Sequence, residues 1–285
     1  MAKSIQQVRV TAVTRQVPGV VSIDFEPGGL SPRVFVDDHV KIMLPAPGPE
    51  HLSAPDSQTL PAAGSETLST PDPAAPAAQA TQPAPAPAPL LRTYTRRRAD
   101  PATGAWGIDV LRLPHDGPGA RWADSVAPGD VVTVRGPGGH WQMPDSTEPM
   151  TVLMVGDAVA QPAIANALEA LPADSSAIVL VEEGDLHYPL PQRPGVRIVP
   201  VPVSPGGAAL VDAVRDLATP SGPWWAFVHG QAEMVRPLRR HLRVDRGLPK
   251  ERMHLSAYWF SGRDTEAWRA IKSRFNKAMI AESGD

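Results

Sequence analysis

The chain has 285 residues, with 34 prolines, no cysteine, 5% aromatic residues and a formal net charge of -3. Without cysteine there are no disulfides, thiolate zinc sites, cysteine-ligated iron–sulfur clusters or cysteine nucleophiles, so redox chemistry would need a bound cofactor. No segment approaches the roughly 20 apolar residues of a membrane span, and residues 1–10 lack a signal-peptide core, so a cytoplasmic protein without membrane insertion is expected.

Residues 7–14, 20–25 and 39–44 are short, β-branched and partly alternating, which is the pattern of strands. Residues 45–89 break it: 12 of them are proline and 12 are alanine, with no lysine, arginine or aromatic residue. Such a stretch buries too little apolar surface to offset its ordering cost, so a disordered insertion between two strands of one domain is expected. A proline-rich partner ligand is the sharper alternative. Four acids (Glu50, Asp56, Glu66 and Asp72) lie in this stretch, so the remainder carries +1 rather than -3 and gives no sign of a nucleic-acid partner.

Strand patterns resume at 91–98, 106–113 and 130–134, with a single helix over 119–126. Six short strands predict an all-β barrel. From residue 150 the rhythm changes to continuous apolar strands at 151–155, 177–181, 196–201, 224–228 and 252–259. These alternate with helices at 159–171, 208–217, 232–245 and from 265 onward, which predicts an α/β domain with a parallel sheet covered on both faces. The expected organisation is two domains, 1–149 as the barrel and 150–285 as the α/β domain.

Parallel sheets take ligands where strand C-termini meet helix N-termini. The first such loop carries Gly156 and Asp157, where a glycine leaves room for a ligand, but it is not a Gly-x-Gly-x-x-Gly loop. Glu182 and Glu183 after the next strand suit ribose hydroxyls and oppose a 2′-phosphate, although solvated carboxylates read equally well. In the barrel, Arg92, Tyr94 and Arg96 alternate with Thr93, Thr95 and Arg97. Arginine suits phosphate and tyrosine suits a planar heterocycle, while a cationic edge strand is the plain alternative. The turn at His115, Gly117, Gly119, Ala120 and Arg121 opens a helix whose free N–H groups suit a pyrophosphate. From His229 onward 12 Lys/Arg stand against 7 Asp/Glu, a local +5 that would favour an anionic ligand.

Taken together, Arg-x-Tyr-Thr at Arg92, Tyr94 and Thr95, Gly-Pro-Gly-Ala-Arg-Trp-Ala from Gly117, Gly156-Asp157 followed by Pro162, and Tyr258-Trp259 with Gly262 resemble one family. It is the siderophore-interacting proteins, FAD-dependent ferric-siderophore reductases of the ferredoxin-reductase-like superfamily. The resemblance spans residues 5–268, with the Pro/Ala segment as an insertion.

The resemblance implies an N-terminal FAD-binding barrel and a C-terminal nicotinamide-dinucleotide domain. Arg92 would contact the FAD phosphates, Tyr94 would stack on the isoalloxazine, and Thr95 would bond near the reactive ring nitrogen. Gly117, Gly119, Ala120 and Arg121 would hold the pyrophosphate, with His115 beside the phosphate or adenosine portion. Gly156 and Asp157 would form the mouth of the NADPH or NADH site, Tyr258 and Trp259 would face the flavin, and Arg263, Lys272 or Arg274 would meet the ferric chelate. The expected protein is a monomer passing electrons from NAD(P)H through FAD to Fe(III) in a small-molecule siderophore. Ala158 and Val159, Gln231 and Phe260 depart from the family pattern at polar or charged positions. That leaves two other readings: an FAD oxidoreductase acting on a non-iron molecule, or a flavin- or chelate-binding protein with an eroded nicotinamide site.

Overall fold

The computed structural model describes residues 4–30, 32–45, 88–113 and 117–285. Most of the Pro/Ala-rich stretch, and His115, lie outside the described residues.

Strands β1 (Ser4–Thr14), β2 (Val20–Phe25), β3 (His39–Leu44), β4 (Leu90–Ala99), β5 (Trp106–Leu111) and β6 (Val131–Gly138) close into a barrel in the order β1-β2-β5-β4-β3-β6. Period-two alternation fills it. Val40, Ile42 and Leu44 of β3 point inward with Val8, Ile23, Phe25, Ile108 and Val134, while Lys41 between them faces outward. Helix α1 (Pro118–Ser125) links β5 to β6 and buries Ala123. β6 runs beyond the expected end at 134 through Gly136 and Pro137, because β1 and β3 pair with it on both sides as far as Gly136 and Gly138.

The second half contains β7 (Thr151–Gly156), α2 (Gln161–Ala170), β8 (Ser176–Glu183), β9 (Val196–Pro202), α3 (Ala208–Asp216), β10 (Trp224–Gln231), α4 (Ala232–Arg240), β11 (Met253–Trp259) and α5 (Thr265–Ala281). Its five strands are parallel, in the order β11-β10-β7-β8-β9. The chain runs outward from β7 to β9, then returns to place β10 on the other side of β7. The C-terminal ends of β7 and β10 therefore form the switch point where such sheets open a crevice. The helix expected over 232–245 ends as α helix at Arg240. Pro237 sits inside it, and the following turn, His241–Asp245, widens to π geometry.

Polar side chains join the barrel to α2. The buried Asn166 donates to the carbonyls of Val36 and Arg96, both at 3.2 Å, and accepts from Arg33 at 2.7 Å. Glu169, one turn on, receives Arg97 at 2.6 Å, and Tyr188 donates to Asp109 at 2.6 Å. These bonds accompany apolar contacts in which Val36 and Trp141 pack with Ile164 and Phe227, and Val20 with Ala165 and Tyr188.

Candidate active site

Strand β4 carries the cationic run, and most of it is structural. Arg96 is 2% exposed and meets Asp38 at 2.5 Å. Burial pushes the Asp38 carboxyl up to about 6, against the opposing pull of Arg96. Past a register shift between Arg96 and Arg98, Arg97 turns to Glu169, and Arg98 turns to Asp24 at 2.7 Å and Asp109 at 2.5 Å. A cleft of about 390 Å³ beside them is lined by Asp24, Arg33, Arg97, Arg98 and Glu169; its cations pair with its own carboxylates, and it lies away from the switch point.

Arg92, Tyr94 and the start of α1 come together from sequence positions more than a strand apart. A Cβ placed on Gly119 would stand 2.4 Å from Tyr94 Oη and 3.7 Å from Arg92 Cγ, so a larger residue there would displace the Tyr94 hydroxyl from the first turn of α1. Burial pushes the Tyr94 phenol up to about 12, which keeps it neutral. The N-cap, Gly117, offers no side-chain acceptor, and a Cβ there would meet nothing within 4 Å. The expectation of several free N–H groups needs correction. Those of Ala120 and Arg121 bond to the Gly117 carbonyl at 3.0 and 3.1 Å, which leaves the Gly119 N–H at the open end of a helix whose dipole favours an anion. The Arg121 side chain is exposed on α1. Arg92 donates to Glu266 Oε1 at 2.8 Å, so a carboxylate at the start of α5 occupies the guanidinium that was expected to meet phosphate.

At the switch point Gly156 has a packing role. A Cβ there would meet Ala160 Cβ at 2.6 Å, Ile164 Cδ1 at 2.9 Å and the His229 carbonyl at 3.1 Å, so this glycine lets the helix and the neighbouring strand pack close at the mouth of the crevice. Asp157 is the polar centre of the crevice. It is 3% exposed, caps the turn holding Ala158 and Val159 through Ala160 N–H, and accepts Trp259 Nε1 at 2.7 Å. Gly230, with φ of +129°, closes over its carboxyl, where a Cβ would come within 2.6 Å. Burial, aided by repulsion from Glu182, pushes the Asp157 carboxyl up to about 7, even though Trp259 and two backbone amides favour its charged form. Glu182 is itself buried at the end of β8, its Oε1 has no hydrogen-bond partner, and its carboxyl is also pushed up by burial. Glu183 is exposed and pairs with His187.

Tyr258 links the sheet to the barrel. Its hydroxyl lies 2.6 Å from His229 Nδ1 and hydrogen-bonds with Thr95 of β4. Burial raises the Tyr258 phenol far above the usual range and holds the His229 imidazole well below its usual value, so both are neutral. Of the residues that depart from the family pattern, Gln231 donates to Ser261 Oγ at 2.5 Å, and Phe260 packs on Trp268 and Phe275.

The structure divides the three cations proposed for substrate. Arg263 lies over the Phe260 ring at 5.7 Å and Arg274 is exposed on α5. Lys272 alone is partly buried; burial lowers its ammonium pKa, and so do Lys41 of β3 and Arg269 of α5. Sequence reasoning missed Lys41 and Arg269. Lys41 gave a signal, since its neighbours Val40 and Ile42 are apolar and strand alternation had to turn it outward. Much of the basic surplus elsewhere is neutralised internally, as Arg236 pairs with Glu282 and both Arg239 and Arg243 pair with Asp285.

A six-stranded FAD-type barrel followed by a five-stranded parallel sheet defines a flavoprotein of the ferredoxin-reductase-like fold. Residues 9–141 match the siderophore-interacting FAD-binding domain and residues 149–262 match the siderophore-interacting protein domain, and the chain belongs to that family. It is 33% identical over 184 residues to the mycobactin import ATP-binding/permease protein IrtA of Mycolicibacterium smegmatis, covering 64% of this chain and 21% of that protein. The chain thus spans about a fifth of the length of that transporter. It is 28% identical to the ferric vibriobactin reductase ViuB of Vibrio cholerae, over 63% of this chain and 68% of ViuB. The siderophore-interacting protein SipS of Aeromonas hydrophila superposes with a TM-score of 0.71 at 26% identity, over 96% of this chain and 99% of that one. Among the described residues no helix is long and apolar enough to cross a membrane.

The residues fit FAD. The uncapped start of α1, with the Gly119 N–H at its end, lies against Tyr94 and Arg92 of β4, so an anion donor, a ring and a guanidinium stand together as a phosphate and a flavin ring require.

Proposed function

We propose that this chain reduces Fe(III) in an anionic chelate with electrons from NAD(P)H. The observation that carries this reading is the Arg92–Tyr94–Gly119 cradle; the switch-point crevice at Asp157 and Trp259, and the like charges of Lys41 and Arg269 acting on Lys272, support it.

Each part has work to do. Arg92, once released from Glu266, and the Gly119 N–H would hold the FAD phosphates; Tyr94, neutral and backed by Trp122 at 6.1 Å, would support the ring system. Bound there, FAD supplies the ability to take two electrons as hydride and return them singly. Thr95 and Tyr258 bond to each other across the junction between strand β4 and the sheet, holding the end of β11 at a fixed distance from the cradle. Trp259, tied to Asp157, walls one side of the nicotinamide crevice, and the Glu182 carboxylate at the end of β8, which the Ser204 backbone also holds, would accept from ribose hydroxyls. A carboxylate at that place favours NADH over a 2′-phosphate-bearing donor. Lys41, Arg269 and Lys272 would attract an anionic chelate, with Arg269 also held by the Leu91 carbonyl. One NAD(P)H yields one hydride, so two Fe(III) become two Fe(II) with one proton released. Ferrous iron then leaves a hard-oxygen chelate more readily.

Steady-state assays with a ferrous trap test the placement. The wild type should release Fe(II) from an anionic ferric chelate at the expense of NAD(P)H. Lys272→Ala should raise the KM for the chelate while leaving flavin reduction by nicotinamide unchanged. No Fe(II) from the wild type, or a KM unmoved in the variant, contradicts the proposal.

A further inference from the structure

On the far side of His229 from Tyr258, three metal-ligating side chains converge from segments far apart in the chain. Asp37 precedes β3, His140 follows β6, and His254 lies near the start of β11. One ligand atom from each falls within 4.8 Å of the others, and this is the grouping of that kind among the described residues. Asp37 Oδ2 stands 3.3 Å from His254 Nε2 and 3.5 Å from His140 Nδ1. Ligands of a first-row cation with bonds of about 2.0–2.2 Å sit roughly 3.0–3.5 Å apart, so both separations already match a shared ion.

The surroundings are those of a built site. The second carboxylate oxygen, Asp37 Oδ1, accepts the His140 and Trp141 backbone N–H groups at 3.0 and 2.9 Å, which aims Oδ2 at the two imidazoles. His254 is 6% exposed and clamped between rings, stacked with Trp141 at 5.5 Å and near His229 at 4.9 Å, and its Nε2 has no hydrogen-bond partner of normal geometry. His140, with a side chain 78% exposed, forms the outer wall and can close on an ion by side-chain rotation alone. Asp37 and His254 are buried, and the His140 side opens to solvent.

We propose that Asp37, His140 and His254 bind a divalent first-row transition cation, with the solvent side as an open coordination position. Two imidazoles and one carboxylate select iron, cobalt, nickel or zinc over magnesium and calcium, which prefer all-oxygen shells. The inference rests on these residues alone and stands whether or not the flavin reading holds.

The test uses untagged full-length protein, stripped with a chelator, desalted and titrated with Co(II) while visible ligand-field bands are followed. The proposal expects saturable bands at one equivalent, displaced by Zn(II) and not by Mg(II). His140→Ala should melt as the wild type does in the absence of metal, because that ring is exposed, and should bind Co(II) more than about tenfold more weakly. His254→Gln gives a second variant that retains a polar group near Asp37, and it should lose the bands. No bands in the wild type, bands equally strong in His140→Ala, or displacement by Mg(II) would overturn the proposal and leave the three side chains as a structural polar cluster.

Discussion

Asp157→Asn offers a measurable consequence of burying a carboxyl at the switch point. The Asp157 carboxyl titrates at about 7 in the folded protein against 3.8 for the ordinary group, with burial as the main cause. A folded-state pKa above the unfolded one means that the native state holds an extra proton between those values. Stability is therefore fully present below about pH 4 and is lost as pH rises through about 7. At about 1.4 kcal/mol per unit, the loss between about pH 5 and about pH 8 is on the order of 2–3 kcal/mol. Asparagine removes the titration but also turns an amide N–H₂ toward a donor, Trp259 Nε1 or Ala160 N–H, at a cost of about 1–3 kcal/mol that does not depend on pH. The informative quantity is the difference between the two pH values, in which that cost cancels. Urea unfolding of both proteins at each pH gives it. The wild type should lose on the order of 2–3 kcal/mol more than the variant on going to the higher pH. Equal losses in the two proteins would refute a neutral, buried Asp157.

Three further outcomes follow. Glu266→Ala removes the carboxylate that holds Arg92 at 2.8 Å and should tighten FAD binding in fluorescence titration; weaker binding would show that the ion pair positions Arg92 rather than competing for it. Asn166→Ala leaves two carbonyls and an arginine without their buried partner and should destabilise the protein by about 2–4 kcal/mol in urea unfolding, while an exposed substitution such as Arg274→Ala should change little. Glu182→Gln should narrow the preference for NADH over NADPH in initial-rate assays by weakening the opposition to a 2′-phosphate; an unchanged ratio would detach Glu182 from the ribose.

The architecture was legible because both halves carry strong periodic signals. Alternation at Val40, Ile42 and Leu44 marks a half-buried strand, while the unbroken run from Val152 to Val155 marks one buried on both faces. Boundaries failed where tertiary pairing overrode local breakers: Gly136 and Pro137 continue β6 because two neighbours hold them. At the site, Tyr94, Gly119, Asp157 and Trp259 could be found as motif residues, but their partners could not. Glu266 reaches Arg92 across 174 positions, and Trp259 reaches Asp157 across 102. The packing role of Gly156 was hidden for the same reason, since a glycine reads alike whether the space beside it holds a ligand or the side chain of Ile164. Asp37, His140 and His254 left no local signature, because each is an ordinary residue until the fold joins three segments.

The central claim is tested most directly by the absorbance of FAD-supplemented, desalted protein, followed without oxygen after adding NADH and then an anionic ferric chelate with a ferrous trap. Retained yellow flavin should bleach with NADH and recover as two Fe(II) are trapped per NADH consumed. Retained flavin that neither NADH nor NADPH bleaches, or reduced flavin that the ferric chelate does not reoxidise, would contradict it.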